Sequence, residues 1–103
     1  MSWQLAIRPA AQEDITNATD WYENQRPGLG TAFVREIRTA IASLSENPHR
    51  FPVRNPRRQA RWFYPHRFPY RIVYLVSTDT VTIVAVVHAA RHDREWRRRL
   101  FSE

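Results

Sequence analysis

The feature that most restricts the fold of this chain is a pair of apolar runs, residues 70–77 and 80–88, separated by a short polar turn. Both runs are rich in β-branched and aromatic residues and are apolar at nearly every position, as central strands of a covered sheet are. Two such runs joined by a few polar residues predict a β-hairpin. The chain therefore needs a sheet whose two faces are both covered along this hairpin.

Three helices and two further strands are predicted around this hairpin. Alternation at residues 3–9 indicates a short, half-buried strand. Apolar residues at helical spacing indicate helices from residue 10 to about 26 and from 31 to about 46, separated by a Gly/Pro turn. A Pro- and Arg-rich loop leads to a short strand around residues 60–64, and residues 91–103 form a short helix. The predicted order is β-α-α-β-β-β-α, an α+β fold in which a small antiparallel sheet carries the N-terminal helical hairpin on one face.

Large aromatic side chains mark the expected core, because they bury the most apolar surface. Trp3, Trp21 and Tyr22 are expected to lie inside it. Trp62 and Phe63 follow the Arg-rich loop, where the alternatives are core packing and stacking against nucleic-acid bases.

Length and cysteine content exclude several classes of protein. A chain of 103 residues predicts a single domain, residues 1–103. The absence of cysteine excludes disulfides, thiolate zinc sites and cysteine nucleophiles, and it fits a reducing compartment. No apolar run approaches the roughly 20 residues of a membrane-spanning helix, and no phosphate-binding glycine loop or metal-ligand spacing is present. We therefore expect a cytoplasmic protein with no membrane contact, no metal and no cofactor.

The charge of the chain predicts an acidic or polyanionic partner. All sixteen basic residues are arginine, against ten acidic residues, for a net charge of +6. A genome rich in G and C would also favour arginine over lysine, but it would not explain the distribution. Five arginines lie in residues 1–50 and eleven lie after them, whereas the acidic residues divide six to four the other way. The second half of the chain is therefore the basic half.

Arg71 is an unexpected residue inside the first apolar run. Period-two alternation places Arg71 and Val73 on one face of the sheet and Ile72 and Tyr74 on the other. An unpaired guanidinium beneath the helical hairpin would carry a large desolvation penalty, so Arg71 is expected near a sheet end, facing an open side. Two interpretations remain at this point: a salt bridge to a carboxylate of the chain, or a guanidinium that faces a ligand.

Residues 68–99, FPYRIVYLVSTDTVTIVAVVHAARHDREWRRR, preceded by a helical hairpin and a Pro-rich loop, resemble the ParE branch of the RelE/ParE toxin superfamily. The resemblance covers nearly the whole chain, and its most specific parts are PYRIVY and AVVHAARHD followed by tryptophan and arginines. It implies the toxin of a bacterial type II toxin–antitoxin module, with a curved sheet, two helices on one face and an acidic cognate antitoxin that folds on binding. It also implies a toxin–antitoxin hetero-oligomer or a homodimer.

The same resemblance implies two alternative targets. ParE-like toxins poison DNA gyrase without hydrolytic chemistry, whereas RelE-like toxins cleave messenger RNA on the ribosome, which requires proton transfer and cations on the phosphate. Arg71 and Arg91 match arginines of the RelE branch. Arg61 stands alone where that branch has a basic pair, however, and Trp96 falls near its C-terminal tyrosine. The resemblance therefore favours a binding inhibitor of gyrase over an enzyme, with a ribosome-dependent endoribonuclease as the alternative.

Two histidines keep this alternative open, because His88 and His92 flank Arg91 and titrate near neutral pH. For a nuclease, the catalytic candidates are Arg71, His88, Arg91 and His92. For a binding toxin, no catalytic residue is expected, and the residues that contact the target or the antitoxin are predicted to be Arg61, Arg71, His88, Arg91 and Trp96.

Overall fold

The computed structural model describes residues 3–91 and 94–100. The α+β class and the helical hairpin on one face of the sheet are confirmed, and one strand is added to the predicted order. The elements are β1 (Gln4–Ile7), α1 (Pro9–Gln25), α2 (Leu29–Ser43), β2 (Val53–Asn55), β3 (Ala60–Phe63), β4 (Tyr70–Val76), β5 (Thr80–His88) and α3 (Arg94–Arg99). Among the described residues, no helix is long and apolar enough to cross a membrane.

The strands form one five-stranded sheet in the order β1-β5-β4-β3-β2. The β4–β5 hairpin forms the middle of this sheet, as its apolar sequence predicts. Strand β1 differs from the expected antiparallel arrangement, because it pairs with β5 in parallel. Strand β2 differs from the predicted loop. Pro52 and Pro56 flank its three residues, and it lies at the sheet edge, where neighbouring prolines are tolerated.

The turn between α1 and α2 depends on both glycines. Gly28 has a φ of 89°, a left-handed conformation that glycine adopts without strain. A Cβ atom on Gly30 would lie 2.7 Å from the backbone oxygen of Thr19, so the two helices approach each other too closely for a side chain there. The Glu23 carboxylate accepts hydrogen bonds from the backbone N–H groups of Gly28 and Gly30, at 2.9 and 3.0 Å, and so caps the start of α2.

Two apolar cores lie on opposite faces of the sheet. The first core fills the space between the helical hairpin and the sheet, and its largest members include Phe33, Ile37, Leu44, Ile72 and Tyr74. The second core lies on the other face, beneath α3, and consists of Ala60, Val73, Val84, Ala85, Val87, Trp96 and Leu100. The β4–β5 hairpin is apolar on both faces because each face packs into one of these cores.

A β-bulge in β5 decides which side chains reach each core. Val73 pairs with Ala85 and Tyr74 pairs with Ile83, which leaves Val84 as an extra residue. The extra residue reverses the alternation of β5, so that Val84 and Ala85 both belong to the second core. Before the bulge, the odd-numbered Val81 and Ile83 face the helices; beyond it, the even-numbered Val86 does.

Two sequence expectations about burial are wrong, the half-buried strand at residues 3–9 and the buried position of Trp21. All four residues of β1 are exposed, Leu5 and Ile7 by 40% and 41%, because β1 lies at the edge of the sheet. Trp21 is 55% exposed, whereas its neighbour Tyr22 packs against Phe33 in the first core. Helical geometry separates these two neighbours by about 100°, so only one of them faces the sheet.

Candidate functional site

The guanidinium of Arg71 lies on the face of the sheet opposite the helical hairpin. Its central carbon is 5.5 Å from the centroid of the Trp62 ring. Its Nε donates a hydrogen bond to the hydroxyl of Tyr64 at 3.2 Å, and its Nη2 donates to the backbone oxygen of Ala89 at 3.3 Å. An indole face, a phenol and a carbonyl therefore orient this arginine beside an exposed surface, as the strand alternation predicts.

Arg54 contributes a second guanidinium to the same surface. Its central carbon lies 5.6 Å from the Trp62 centroid, so two cations from β2 and β4 share the indole on the strand between them. Each such contact at an exposed site stabilises by about 0.5–1 kcal/mol. Tyr64, 51% exposed, extends this surface. We call Arg54, Trp62, Tyr64 and Arg71 the Trp62 face.

Trp96 supports the Trp62 face from inside the protein. Its side chain is 0% exposed, and its ring meets that of Trp62 edge-to-face with centroids 4.9 Å apart. Trp96 was predicted to contact a partner, but in the structure it lies within the second core. In this structure the indole acts on the surface through Trp62, by fixing the position of that ring.

Arg61 lies on the opposite side of the sheet from Arg71. It is in register with Tyr74, which belongs to the first core, and its Nη1 donates hydrogen bonds to the backbone oxygens of His49 and Phe51. Arg61 thus holds the loop that follows α2. Burial raises the pKa of Tyr74 to about 12, and the charge of Arg61 opposes this shift.

His88 and Arg91 are brought together, away from the Trp62 face. The ring of His88 packs edge-on against Tyr70 at 5.2 Å, and its Nδ1 accepts a hydrogen bond from the backbone N–H of Ala90 at 3.0 Å. Both His88 and Arg91 line a cleft of about 690 Å³ between α1 and the end of β5, which we call the α1 cleft. Burial raises the pKa of Tyr70 in this cleft, and the Arg91 charge acts in the opposite direction. His92, the remaining candidate, lies outside the described residues.

A second groove, of about 740 Å³, lies between α2 and the loop joining β3 to β4. The Phe51 and Phe63 rings, stacked at 4.3 Å, contribute to its apolar lining. Its rim carries Arg35, Arg50 and Arg67. The Glu36 carboxylate accepts hydrogen bonds from the backbone N–H groups of Arg67 and Phe68 and so is engaged within the chain. We call this feature the α2 groove; its lining combines stacked aromatic rings with three exposed arginines.

Sequence reasoning missed Arg54 and Tyr64. Tyr64 follows Trp62 by two residues, so strand alternation could have placed both on one face. Arg54 had no such signal, because the prolines around it predict a loop. Among the described residues, no group of three or more His, Cys, Asp or Glu side chains could hold a metal ion.

The fold and this surface define a small basic α+β protein with an exposed arginine and aromatic face. The chain belongs to the ParE toxin family: the family described as "ParE toxin of type II toxin-antitoxin system, parDE" matches residues 5–93. Membership of a toxin–antitoxin family implies a cognate antitoxin. No curated protein sequence matches the chain.

Solved structures share the fold. A chain from the chromosomal ParDE toxin–antitoxin system of P. aeruginosa has a TM-score of 0.74 and 16% identity, covering 84% of this chain and 96% of that one. A mutant of the E. coli toxin RelE in the free state has a TM-score of 0.71 and 16% identity, covering 98% and 96%. The RelBE2 toxin–antitoxin complex of Mycobacterium tuberculosis has a TM-score of 0.54 and 24% identity, covering 85% and 99%. At these identities the likeness concerns the fold alone.

Proposed function

We propose that this ParE-family toxin inhibits DNA gyrase by binding it through the Trp62 face, and that it acts in the cytoplasm as a non-enzymatic inhibitor. An acidic cognate antitoxin neutralises it in a toxin–antitoxin hetero-oligomer, and the free toxin forms a homodimer. The net charge of +6 supports both partners, because a basic protein attracts partners with an acidic surface.

The observation that carries this proposal is the pair of guanidiniums on one indole. Arginine stays charged at every physiological pH, so Arg54 and Arg71 bind anions and cannot serve as general bases. Arginine and tryptophan are also the side chains most enriched among the energetically dominant residues of protein interfaces. The Trp62 face is therefore suited to docking a macromolecule with carboxylates or phosphates on its surface.

Cleavage of messenger RNA on the ribosome is the second candidate, and one contact favours it. The Tyr64 hydroxyl lies 3.2 Å from the Nε of Arg71, which places a group able to exchange a proton beside a cation. In a nuclease, Arg71 would stabilise the charged phosphate while Tyr64 transfers a proton. His88 and Arg91 line the α1 cleft, and would have to act from a different surface than this pair.

The test combines two reactions on the purified protein. DNA supercoiling by gyrase is measured with trapping of cleaved DNA, beside translation on intact ribosomes. We expect gyrase inhibition with uninterrupted translation. Replacing Arg71→Gln is expected to weaken inhibition about tenfold, the loss typical of an interface arginine. Arg38→Gln on the exposed side of α2 removes the same charge elsewhere and is the matched control.

The opposite result would replace the proposal with the second candidate. If messenger RNA is cut while gyrase is unaffected, the Trp62 face is a cleavage site. Tyr64→Phe then becomes the decisive variant, since it keeps the ring and removes only the hydroxyl group.

A further inference from the structure

We infer that the α1 cleft binds a nucleotide, with the base stacked on Trp21 and the phosphate held by Arg91. The cleft lies on the helical side of the sheet, whereas the Trp62 face lies on the other side. This inference therefore concerns a second site and goes beyond the proposed function.

One wall of the cleft is suited to a nucleobase. Glu13, Asn17 and Trp21 are spaced by four residues along α1, so they form one stripe, and all three line the cleft. The Trp21 ring meets Tyr22 edge-on at 5.1 Å and remains 55% exposed, which leaves its surface accessible for stacking. The amide of Asn17 and the carboxylate of Glu13 offer hydrogen bonds to the polar edge of a base.

The opposite wall is suited to a phosphate. Arg91 is exposed at the end of β5, and the His88 ring stands nearby in the same lining. The Nδ1 of His88 already accepts the backbone N–H of Ala90, so the proton of the neutral ring is assigned to Nε2, as a donor. Guanidinium and imidazole N–H groups are the donors that recognise phosphate oxygens.

The remaining charges of the cleft compensate one another. The Asp14 carboxylate accepts two hydrogen bonds from the Arg99 guanidinium, at 2.6 and 3.1 Å, and one from the backbone N–H of Val86 at 2.9 Å. Apart from that pair, the lining holds the Glu13 carboxylate on the α1 wall and the Arg91 guanidinium on the opposite wall. A nucleotide has the complementary polarity, since its base carries N–H donors and its phosphate is anionic.

The size of the cleft agrees with this ligand class. Its volume of about 690 Å³ falls within the range of about 300–1,000 Å³ that is usual for small-molecule sites. Tyr22 and Tyr70 also line it, with their ring centroids 6.1 Å apart. A free mononucleotide and one nucleotide of a single strand present the same base and phosphate, so the experiment must distinguish these two sources.

The first experiment is a titration of the full chain followed by the NMR signals of the four tryptophan indole N–H groups. The probes are AMP, GMP, CMP and UMP, with adenosine and ribose 5-phosphate as the separate halves of one ligand. The Trp21 signal is assigned by its loss in Trp21→Phe. We expect at least one mononucleotide and adenosine to shift the Trp21 signal selectively, and ribose 5-phosphate to leave it in place.

Variants then test the orientation of the ligand. Because the Trp21 variants lack the Trp21 signal, affinities of all variants are measured by isothermal titration calorimetry. Trp21→Ala is expected to weaken mononucleotide binding about tenfold, the effect of losing one base–aromatic stack, and Trp21→Phe is expected to restore most of it. Arg91→Gln is expected to weaken AMP binding about tenfold, as when a charge-assisted contact is lost, while leaving adenosine binding unchanged. Arg98→Gln, which removes an exposed arginine of α3 outside the cleft, is the matched control.

The outcomes distinguish a free mononucleotide from a nucleotide of a single strand, and both from the absence of a nucleotide site. Binding of a mononucleotide as tight as that of a single-stranded tetranucleotide supports a free nucleotide, and much tighter binding of the tetranucleotide supports a single strand. The inference is overturned if no mononucleotide or tetranucleotide shifts Trp21 at millimolar concentration, or if Trp21→Ala binds as tightly as the wild type. Arg71→Gln should leave nucleotide binding intact, and Trp21→Ala should leave gyrase inhibition intact, so each site fails independently.

Discussion

At the scale of single residues, Tyr74 places a polar hydroxyl inside the first core. Burying that hydroxyl is tolerated because it forms a hydrogen bond. Its side chain is fully buried, and the hydroxyl donates a hydrogen bond to the backbone oxygen of Pro48 at 2.7 Å. This bond fixes the loop after α2, which Arg61 also holds through its contacts with nearby carbonyls. One tyrosine and one arginine thus give the long Pro-rich connection a defined path.

The pH dependence of unfolding should reveal Tyr74. Burial raises its pKa from 10.0 to about 12, so the folded protein keeps a proton that the unfolded chain loses. Because the unfolded state then binds fewer protons, the free energy of unfolding is expected to fall as pH rises from about 10 to about 12. Urea titrations across this range should show a smaller fall in Tyr74→Phe. At neutral pH, the free energy of unfolding of the same variant is expected to be lower by about 1–3 kcal/mol, because the Pro48 carbonyl loses its hydrogen-bond donor. An unchanged alkaline slope would contradict this account.

At the scale of elements, the short helix α3 is held by contacts that cross from one layer to the other. Trp96 and Leu100 pack into the second core, and Arg99 reaches the Asp14 carboxylate on α1. The same carboxylate accepts the Val86 N–H, while Arg99 Nη1 also approaches the Val84 oxygen at 3.3 Å. The ion pair therefore satisfies backbone groups of β5 beyond the end of its pairing with β1.

Removing Arg99 should loosen α3 specifically. Arg99→Gln is expected to lower the free energy of unfolding by about 1–3 kcal/mol, the range for a hydrogen bond to a charged group. Amide exchange should accelerate in α3 and near Val86 more than in the β4–β5 hairpin. Arg98→Gln, one position earlier and exposed, removes an equal charge and should change neither quantity. Uniform acceleration across the sheet would show that the pair supports the whole fold rather than this helix.

The two glycines of the helical turn should differ in their tolerance of a side chain. Gly30→Ala would place a Cβ atom 2.7 Å from the Thr19 backbone oxygen, so α1 and α2 must move apart at a cost of about 1–3 kcal/mol. The Cβ atom of Gly28→Ala would contact nothing within 4 Å. This variant is therefore destabilised only by the left-handed backbone conformation, by about 1–2 kcal/mol. Thermal unfolding of the two variants should rank Gly30→Ala as the less stable. The reverse order would mean that backbone strain outweighs the close approach of the helices.

At the scale of the whole molecule, the sequence predicted what local periodicity controls. The helices, the central hairpin and the face of Arg71 follow from spacings within single segments. The parallel pairing of β1 and the bulge at Val84 depend on contacts between distant segments, so the pattern could not reveal them. The same reason explains the site. Alternation predicts the face of Arg71 and could place Tyr64 beside Trp62, but only the pairing of three strands brings Arg54 and Trp62 to Arg71. The bulge turns His88 to the opposite side of the sheet.

The distribution of charge over the whole molecule predicts how the proposed acidic antitoxin would bind. Arg35 lies at the rim of the α2 groove, whereas Arg38, one turn along the same helix, lies outside it. Arg35→Glu is expected to weaken binding of the cognate antitoxin about tenfold at low ionic strength, chiefly by slowing association, because rim charges steer encounter. The loss should shrink as added salt shortens the screening length. Arg38→Glu changes the net charge equally, so association rates measured for both variants separate a local groove from a diffuse field. Equal losses in the two variants would assign the attraction to the overall charge and remove the α2 groove from the interface.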